Sequence, residues 1–264
     1  MKKFLVAAVG LLALGAAPAL AADLPVKAKP VPVMPVWNWS GFYVGFNGGG
    51  AQSHDCLNLN SVLGIPVNVN EGCHDASGGV IGGQVGYRWQ WAPSWVFGVE
   101  AQGDWAGLKG QSASQATAAL VPFPVFSNQT KIDGLGLFTG QIGYSFNGWA
   151  TNSMLVYVKG GAAVVDDRYN GLFPAVGGVV FDTAHETRWG GTVGASIEMG
   201  FAPGWSVAIE YDHLFMGTQN DTFNFVAPFG AITSRTDSIR QDIDMVTARV
   251  NYTFNWGGPV VAKY

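Results

Sequence analysis

The carboxyl-terminal part of the chain alternates apolar and polar side chains with a period of two, and this pattern strongly constrains the fold. Five apolar residues of the segment share one parity: Val246, Ala248, Val250, Tyr252 and Phe254. Their neighbours share the other parity and are mostly polar: Met245, Thr247, Arg249, Asn251 and Thr253. Successive side chains of a β-strand point to opposite faces. A strand that is apolar outside and polar inside is typical of a barrel that sits in lipid.

The first residues of the chain resemble a secretory signal. Lys2 and Lys3 precede an apolar stretch, residues 4–17, which is too short to cross a bilayer as a helix. Ala19-Leu20-Ala21 is a small-x-small cleavage site. We therefore predict a signal peptide at residues 1–21, and hence export of the mature chain.

The remainder of the chain divides into three predicted parts. Residues 22–38 contain four prolines, which predicts an extended periplasmic tether. Residues 39–254 carry the alternating segments and are predicted to form the barrel. Residues 255–264 continue past the last strand as a carboxyl-terminal tail.

Composition agrees with a membrane barrel and excludes some functions. Only 12% of the residues are charged, 13% are aromatic and 37 are glycine. After the signal peptide no apolar run approaches the ~18 residues of a transmembrane helix. Low charge with many aromatics favours a barrel bounded by aromatic girdles. The net charge of −4 comes without a basic stripe, so we expect no nucleic-acid partner.

Eight alternating segments predict an eight-stranded antiparallel transmembrane β-barrel. Their predicted ranges are 39–52, 79–90, 95–107, 131–146, 154–167, 185–201, 205–215 and 240–254. Short turns alternate with four predicted long loops, at residues 54–78, 108–130, 168–184 and 216–239. This alternation places the long loops outside the cell and both termini in the periplasm. In the fourth segment Leu135 and Leu137 share a parity with Thr139 and Gln141, which predicts a β-bulge.

Short motifs along the chain resemble one family. They are Ala22-Asp23-Leu24-Pro25, Trp39-Ser40-Gly41-Phe42-Tyr43-Val44-Gly45, Tyr157-Val158-Lys159-Gly160-Gly161-Ala162, Gly190-Gly191-Thr192-Val193-Gly194-Ala195, Ile209-Glu210-Tyr211 and Asn251-Tyr252-Thr253-Phe254. Together they are similar to the small alphaproteobacterial outer-membrane barrels called outer-membrane immunogenic or porin-family proteins. The resemblance implies an eight-stranded barrel shaped like the OmpA membrane domain. It implies no single activity.

Nine charged residues take the inward parity and form the first candidate site. They are Arg88, Glu100, Asp104, Lys159, Arg188, Glu198, Glu210, Asp212 and Arg249. An eight-stranded barrel is only wide enough for its own side chains, so we predict a paired network that plugs the lumen. Glu210 is expected to pair with Arg249 on the adjacent strand. A polar gate that passes small ions is the alternative, and a hydrolytic pair of Glu198 with Glu210 is a weaker one.

The chain has two cysteines, Cys56 and Cys73, both in the first predicted long loop. Disulfides form in oxidising compartments, so an exported chain favours a disulfide between them. A zinc site with His54 and His74 is the alternative, although the spacing is not that of a zinc finger.

The long loops carry aromatic residues that predict either self-packing or contact sites. They are Phe123, Phe126, Tyr169, Phe173, Phe223, Phe225 and Phe229. Host surfaces, lipopolysaccharide or a hydrophobic ligand such as haem are the candidate contacts. Enzyme motifs such as G-x-S-x-G are absent from the sequence, and His213 near the outer rim is a weak candidate base.

The sequence thus predicts an integral outer-membrane protein with a structural and surface-interaction role. We expect no enzyme activity, cofactor or metal. A narrow diffusion porin is the first alternative and a lipid-modifying enzyme the second. Expected partners are outer-membrane lipids, lipopolysaccharide and host ligands of the long loops. The sequence leaves the oligomeric state undecided.

Overall fold

The structure, a computed structural model, describes residues 37–115, 126–147, 153–174, 177–226 and 233–254. The predicted signal peptide (1–21), all but two residues of the predicted tether (22–38) and the predicted tail (255–264) lie outside these residues. Among the described residues, no helix is long and apolar enough to cross a membrane.

Eight antiparallel strands close into one barrel, which confirms the predicted fold class. They are β1 Gly41–Val62, β2 Ile65–Gln90, β3 Trp95–Ala113, β4 Ser127–Asn147, β5 Ser153–Phe173, β6 Val179–Ala202, β7 Trp205–Phe225 and β8 Thr233–Phe254. Each strand pairs with its neighbours in sequence, and β8 returns to pair with β1.

The outer face of the lower barrel is an apolar belt, and β7 shows why these residues form strands. Val207, Ile209 and Tyr211 point outward, whereas Ser206 and Glu210 between them are buried in the barrel. We call this zone the membrane belt; it spans residues 42–50, 79–89, 95–107, 134–146, 154–164, 189–201, 205–215 and 246–254. Lipid covers such a belt, because water would leave its large apolar side chains exposed.

The four segments predicted as long loops are mostly continued strands, and that part of the prediction was wrong. β1 runs to Val62 and β2 begins at Ile65, so a two-residue turn replaces the predicted loop 54–78. Leu63 and Gly64 in this turn both have positive φ, 48° and 78°, as a tight right-twisting hairpin requires. The outward side chains of these extensions are mostly polar, except near the outer ends of the strands, where Val62, Ile65, Val67, Val69 and Val179 are exposed. The contrast of apolar outside and polar inside therefore ends at the membrane belt, while the strand itself continues.

The continued strands form a second zone, which we call the projecting half. The strands add from six residues in β3 to fourteen in β2, about ten on average. At ~3.3 Å per residue with a tilt of ~40°, ten residues stand roughly 25 Å above the belt. The short turns at residues 91–94 and 203–204 lie at the opposite end, between β2 and β3 and between β6 and β7. The third predicted turn, residues 148–152, lies outside the described residues.

β4 contains a bulge, but not one that separates its leucines from its polar residues. The register with β5 shifts between Ile132 and Gly134. Leu135 and Leu137 remain on the inward face with Thr139, and all three are buried. The interior of the barrel is therefore apolar at this level, which the sequence analysis did not anticipate.

A charge placed in the membrane belt should test the face assignment. Ile209→Arg is expected to lower the free energy of unfolding by ~2–4 kcal/mol near the bilayer midplane, because the guanidinium loses its water. Asn58→Arg, on the outward face of the projecting half, is the matched control and should have little effect. Equilibrium unfolding by urea in phospholipid vesicles measures both. Equal losses in the two variants would contradict the position of the belt.

Candidate functional site

Inside the membrane belt, three cations meet four carboxylates with no water access. We call this set the lower charge layer; its members are Arg88, Lys159, Arg249, Glu100, Glu198, Glu210 and Asp212. Each is at most 5% exposed. They come from six strands, because the inward parity of each strand places one or two of them at the same height. The carboxylates that are bound by cations avoid the cost of isolated buried charge.

Glu210 is the centre of the lower charge layer. Its carboxylate contacts the Arg249 guanidinium, the expected partner, and also lies 2.5 Å from Lys159 Nζ. Arg249 extends across the lumen to Glu100 at 2.8 Å. Lys159 also lies 3.2 Å from Asp212 and 3.5 Å from Glu100. The cations thus tie β3, β5, β7 and β8 together across the barrel.

Arg88 forms a separate pair with Glu198 at 2.9 Å. The Ser206 hydroxyl and the Asn251 amide also donate to Glu198, at 2.5 and 3.1 Å. The Arg88 guanidinium lies 4.4 Å from the centre of the Tyr43 ring and 5.0 Å from that of Tyr157. Rings at these distances stabilise a cation by their quadrupoles.

The two tyrosines are members of the site that the sequence analysis missed. Tyr43 donates its hydroxyl proton to Glu100 at 2.6 Å, and Tyr157 donates to Glu210 at 2.8 Å. Both have the inward parity of their strands, which is the signal that identifies them. Below them, Trp39 is buried, and its indole nitrogen donates to the Ser145 hydroxyl at 2.8 Å.

Two of the nine predicted network residues lie apart from the lower charge layer. Asp104 accepts a hydrogen bond from Gln102 at 2.7 Å, and no cation among the described residues forms an ion pair with it. Arg188 lies in the projecting half, where it bonds Asp221 at 2.9 Å and the Ile239 carbonyl at 3.0 Å. The single predicted network is therefore wrong in this respect, because β6 is long enough to reach two heights.

An apolar layer separates the lower charge layer from Arg188. Its buried members are Ala51, Ala76, Val80, Leu108, Ile132, Leu135, Leu137, Ala163, Val165, Leu214, Met216, Ile243 and Met245. Leu137, Leu214 and Ile243 have no exposed surface. These side chains come from all strands except β6 and fill the cross-section of the barrel.

The interior of the projecting half is acidic. Six buried carboxylates face two arginines, Arg188 and Arg235. The carboxylates are Asp55, Glu71, Asp167, Asp182, Asp221 and Asp237. Arg235 lies 3.2 Å from Asp182 and 3.4 Å from Asp237. Asp55, Glu71, Asp182, Asp221, Arg235 and Asp237 fall in the predicted long loops, whereas Asp167 and Arg188 fall in predicted strands, so the interior that they share was not predicted.

Burial raises the pKa of several of these acids. The pKa of Asp55 rises to about 7, first because it is buried and second because the Asp167 carboxylate is close. Burial likewise raises the pKa of Asp167 to about 6 and that of Asp237 to about 7. A carboxyl group with a raised pKa keeps its proton in the folded state to higher pH than in the unfolded chain.

Cys56 and Cys73 are joined by a disulfide on the outer face of the projecting half. Cys56 of β1 lies directly opposite Cys73 of β2, so the bond cross-links the two strands of a hairpin instead of closing a loop. His54 lies beside them, with Nε2 3.6 Å from Cys56 Sγ and Nδ1 2.6 Å from Asp75. His74 points into the barrel, where it contacts Thr130 at 2.9 Å. The predicted four-ligand zinc alternative is wrong, because the two histidines lie on opposite faces.

The predicted loop aromatics divide into buried and clustered residues. Tyr169 and Phe223 face the interior and are 1% exposed, so their assignment to exposed loops was wrong. Phe126 packs against Phe173 and Phe181 near the outer end, with ring centres 4.8 and 5.0 Å apart. Phe123 and Phe229 lie outside the described residues.

The candidate catalytic residues are not brought together. His213 points outward and pairs with Asp244 at 2.7 Å. Ser206 points inward and donates to Glu198. A nucleophile and its base must be within hydrogen-bond reach, so these two residues do not form a relay.

The chain is similar in sequence to known outer-membrane proteins. The sequence profile described as outer membrane protein beta-barrel domain matches residues 7–254. The chain is 27% identical over 230 residues to the 31 kDa outer-membrane immunogenic proteins of Brucella melitensis and Brucella suis, covering 83% of this chain and 89% of each relative. It is similar to the structure of OprG from Pseudomonas aeruginosa, at 10% identity and a TM-score of 0.47, covering 84% of this chain and 100% of that one. It is also similar to Neisserial surface protein A, at 15% identity and a TM-score of 0.35, covering 81% and 98%.

Removing one partner of the Arg88–Glu198 pair should cost more than removing both. Among the described residues, Glu198 is the only carboxylate in ion-pair contact with Arg88. Glu198→Gln is therefore expected to lower the free energy of unfolding by roughly 3–5 kcal/mol, because it leaves a buried guanidinium unpaired. The double variant Glu198→Gln with Arg88→Met should lose less. Urea unfolding in vesicles measures both, with Asp104→Asn as a control that leaves no cation unpaired. Additive losses would show that the two residues do not interact.

The projecting half should be more stable in acid than at neutral pH. Asp55 and Asp167 have folded pKa values above those of the unfolded chain, so the unfolded state releases their protons first as the pH rises. Stability is therefore lost between about pH 4 and pH 7 and stays low above that range. Amide hydrogen exchange of β1 and β5, corrected for intrinsic rates, should show more frequent opening at pH 8 than at pH 5. Asp55→Asn should reduce that difference, and an unchanged pH dependence in this variant would contradict the assignment.

Proposed function

Because the chain belongs to the family of outer membrane β-barrel proteins, we propose that it is a closed barrel that acts through its outer surface and not as a pore. Its location is the outer membrane. In this role the lumen is plugged, and the projecting half contacts other molecules.

The apolar layer is the observation that supports a plugged lumen. Leu137, Leu214 and Ile243 meet in a completely buried cluster between the lower charge layer and Arg188. A hydrated ion that crossed this layer would lose its water without gaining polar partners. The lower charge layer adds a second obstacle, because its cations are held by carboxylates from opposite walls. A narrow diffusion porin would need both layers to move aside.

The structure of the projecting half supports a role in contacting other molecules. Its outward side chains are mostly polar, its first hairpin is cross-linked by the Cys56–Cys73 disulfide, and Phe126, Phe173 and Phe181 cluster near its outer end. Such hairpins present a rigid surface outside the membrane. The Brucella relatives are called immunogenic outer-membrane proteins, which is what a surface of this kind would produce. Host or neighbouring surfaces are the partners that we propose for it.

Enzyme activity has no support in the described residues. The histidines on the outer face pair with aspartates: His54 with Asp75, His185 with Asp166 and His213 with Asp244. Among the described residues, no hydrogen bond joins any of these pairs to a serine hydroxyl or a free thiol. We therefore propose a structural and surface-contact role over the lipid-modifying alternative.

Single-channel recording in planar bilayers tests the plug. The wild-type barrel should show no steady conductance at moderate voltage. Leu137→Ala combined with Leu214→Ala removes side-chain volume from the apolar layer and should produce measurable openings. Val207→Ala combined with Ile209→Ala removes similar volume from the lipid face and should leave the barrel silent. A large, steady conductance of the wild type would make the diffusion-porin alternative the better one.

A further inference from the structure

Four basic or ionisable side chains stand next to one another on consecutive strands. The register pairs Lys109 of β3 with Lys131 of β4, Lys131 with Arg168 of β5, and Arg168 with His185 of β6. All four have the outward parity of their strands. We call them the basic row. No local sequence pattern reveals the row, because its members are separated by 17 to 37 residues and meet only through strand pairing.

The chain does not neutralise the two lysines of this row. Residues 105–132 contain no aspartate or glutamate. Arg168 lies 3.3 Å from Asp133, and His185 lies 3.6 Å from Asp166. In the described part of the chain, no carboxylate lies within ion-pair distance of Lys109 or Lys131. Like charges placed directly opposite each other on a sheet repel. Repulsion between these side chains therefore destabilises the fold locally, and an anion bound from outside the chain would reduce that repulsion.

The height of the row identifies the kind of anion. Trp105 and Trp189 are 77% and 63% exposed at the upper edge of the membrane belt, where aromatic rings mark the boundary of the hydrocarbon. Lys109 follows Trp105 by four positions, and His185 precedes Trp189 by four. At ~3.3 Å per residue with the tilt of a barrel strand, the row lies roughly 10 Å above these rings. Lysine and arginine side chains are long enough to reach lipid headgroups from that height.

The acidic side chains around the rest of the barrel argue against a second copy of the chain as the occupant. At similar height, β2, which pairs with β3, carries Asp75, and β8, across the barrel, carries Asp242 and Asp244. These are already engaged, by His54 at 2.6 Å, Arg240 at 3.3 Å and His213 at 2.7 Å respectively. A neighbouring barrel would have to break these contacts to supply carboxylates to the row.

We propose that the basic row binds the phosphate groups of a phosphorylated glycolipid in the outer leaflet. Lys109 and Lys131 act as two adjacent point charges, and Arg168 offers a planar guanidinium that can bond two phosphate oxygens. The apolar belt beneath the row accommodates the acyl chains of the same lipid. This site rests on the location of the barrel in the outer membrane and does not depend on whether the lumen conducts.

Titration with diphosphorylated lipid A tests the site. The full mature protein, folded in detergent micelles, is mixed with the lipid, and native mass spectrometry reports the bound fraction. Lys131→Gln should weaken binding roughly fivefold, since a basic side chain near an anionic lipid surface contributes about that factor. Lys109→Gln with Lys131→Gln should weaken it further. Arg240→Gln is the matched control, because it removes one outward cation on the opposite side and should leave binding unchanged.

Two further measurements identify the lipid that supplies the phosphate and distinguish lipid binding from self-association: binding of other lipids, and the oligomeric state of the lysine variants. Lipid A without its phosphates should bind the wild type as weakly as diphosphorylated lipid A binds the double lysine variant. Phosphatidylglycerol should bind less tightly than lipid A, and equal binding would overturn the assignment to a glycolipid. Equal losses in Lys131→Gln and Arg240→Gln would overturn the site. A shift from dimers to monomers in the lysine variants, with lipid binding unchanged, would show that a second copy occupies the row.

Discussion

Closure of the backbone ladder is the constraint on which the rest of the structure depends. In lipid, each unpaired backbone N–H or C=O costs several kcal/mol, so a sheet in the membrane must have no edge. The pairing of β8 with β1, from Phe42 with Phe254 up to Val62 with Arg235, removes the edge. With only eight strands, the closed cylinder is narrow. The contents of its interior must therefore pack against one another.

That packing explains why the interior is layered. The alternate parity of each strand sends whatever side chain it carries into the lumen, and Arg249, Glu210 and Glu100 satisfy one another only because closure brings β8, β7 and β3 within reach. The leucines of β4 enter at a greater height and exclude water there. This filling is the basis of the proposal that the lumen does not conduct and that the barrel acts through its exterior.

The exterior changes character along the same strands. In the membrane belt the outward residues are apolar and face lipid. In the projecting half they are mostly polar, and this half carries the disulfide, the outward ion pairs and the basic row. The change takes place on continuous strands, so the projecting half inherits the register of the membrane belt. That register places Lys109 beside Lys131, and it encloses the buried acids Asp55 and Asp167. The basic row on the surface and the buried acids in the interior of the projecting half therefore both follow from the strand register of the whole barrel.

Alternation in the sequence determined the number of strands, their order and the inward face of Glu210 and Arg249, because parity is a local property of two neighbouring residues. Short motifs along the chain added the resemblance to outer-membrane barrels. Alternation did not determine where strands end, since the extensions beyond Gln52 and Phe215 lack an apolar outer face and resemble loops. Nor did it show that Arg188 and Glu198, which both point inward from β6, lie at different heights in the barrel. Only the tertiary structure decided these points, because height and neighbours depend on the register of eight strands around a closed ring.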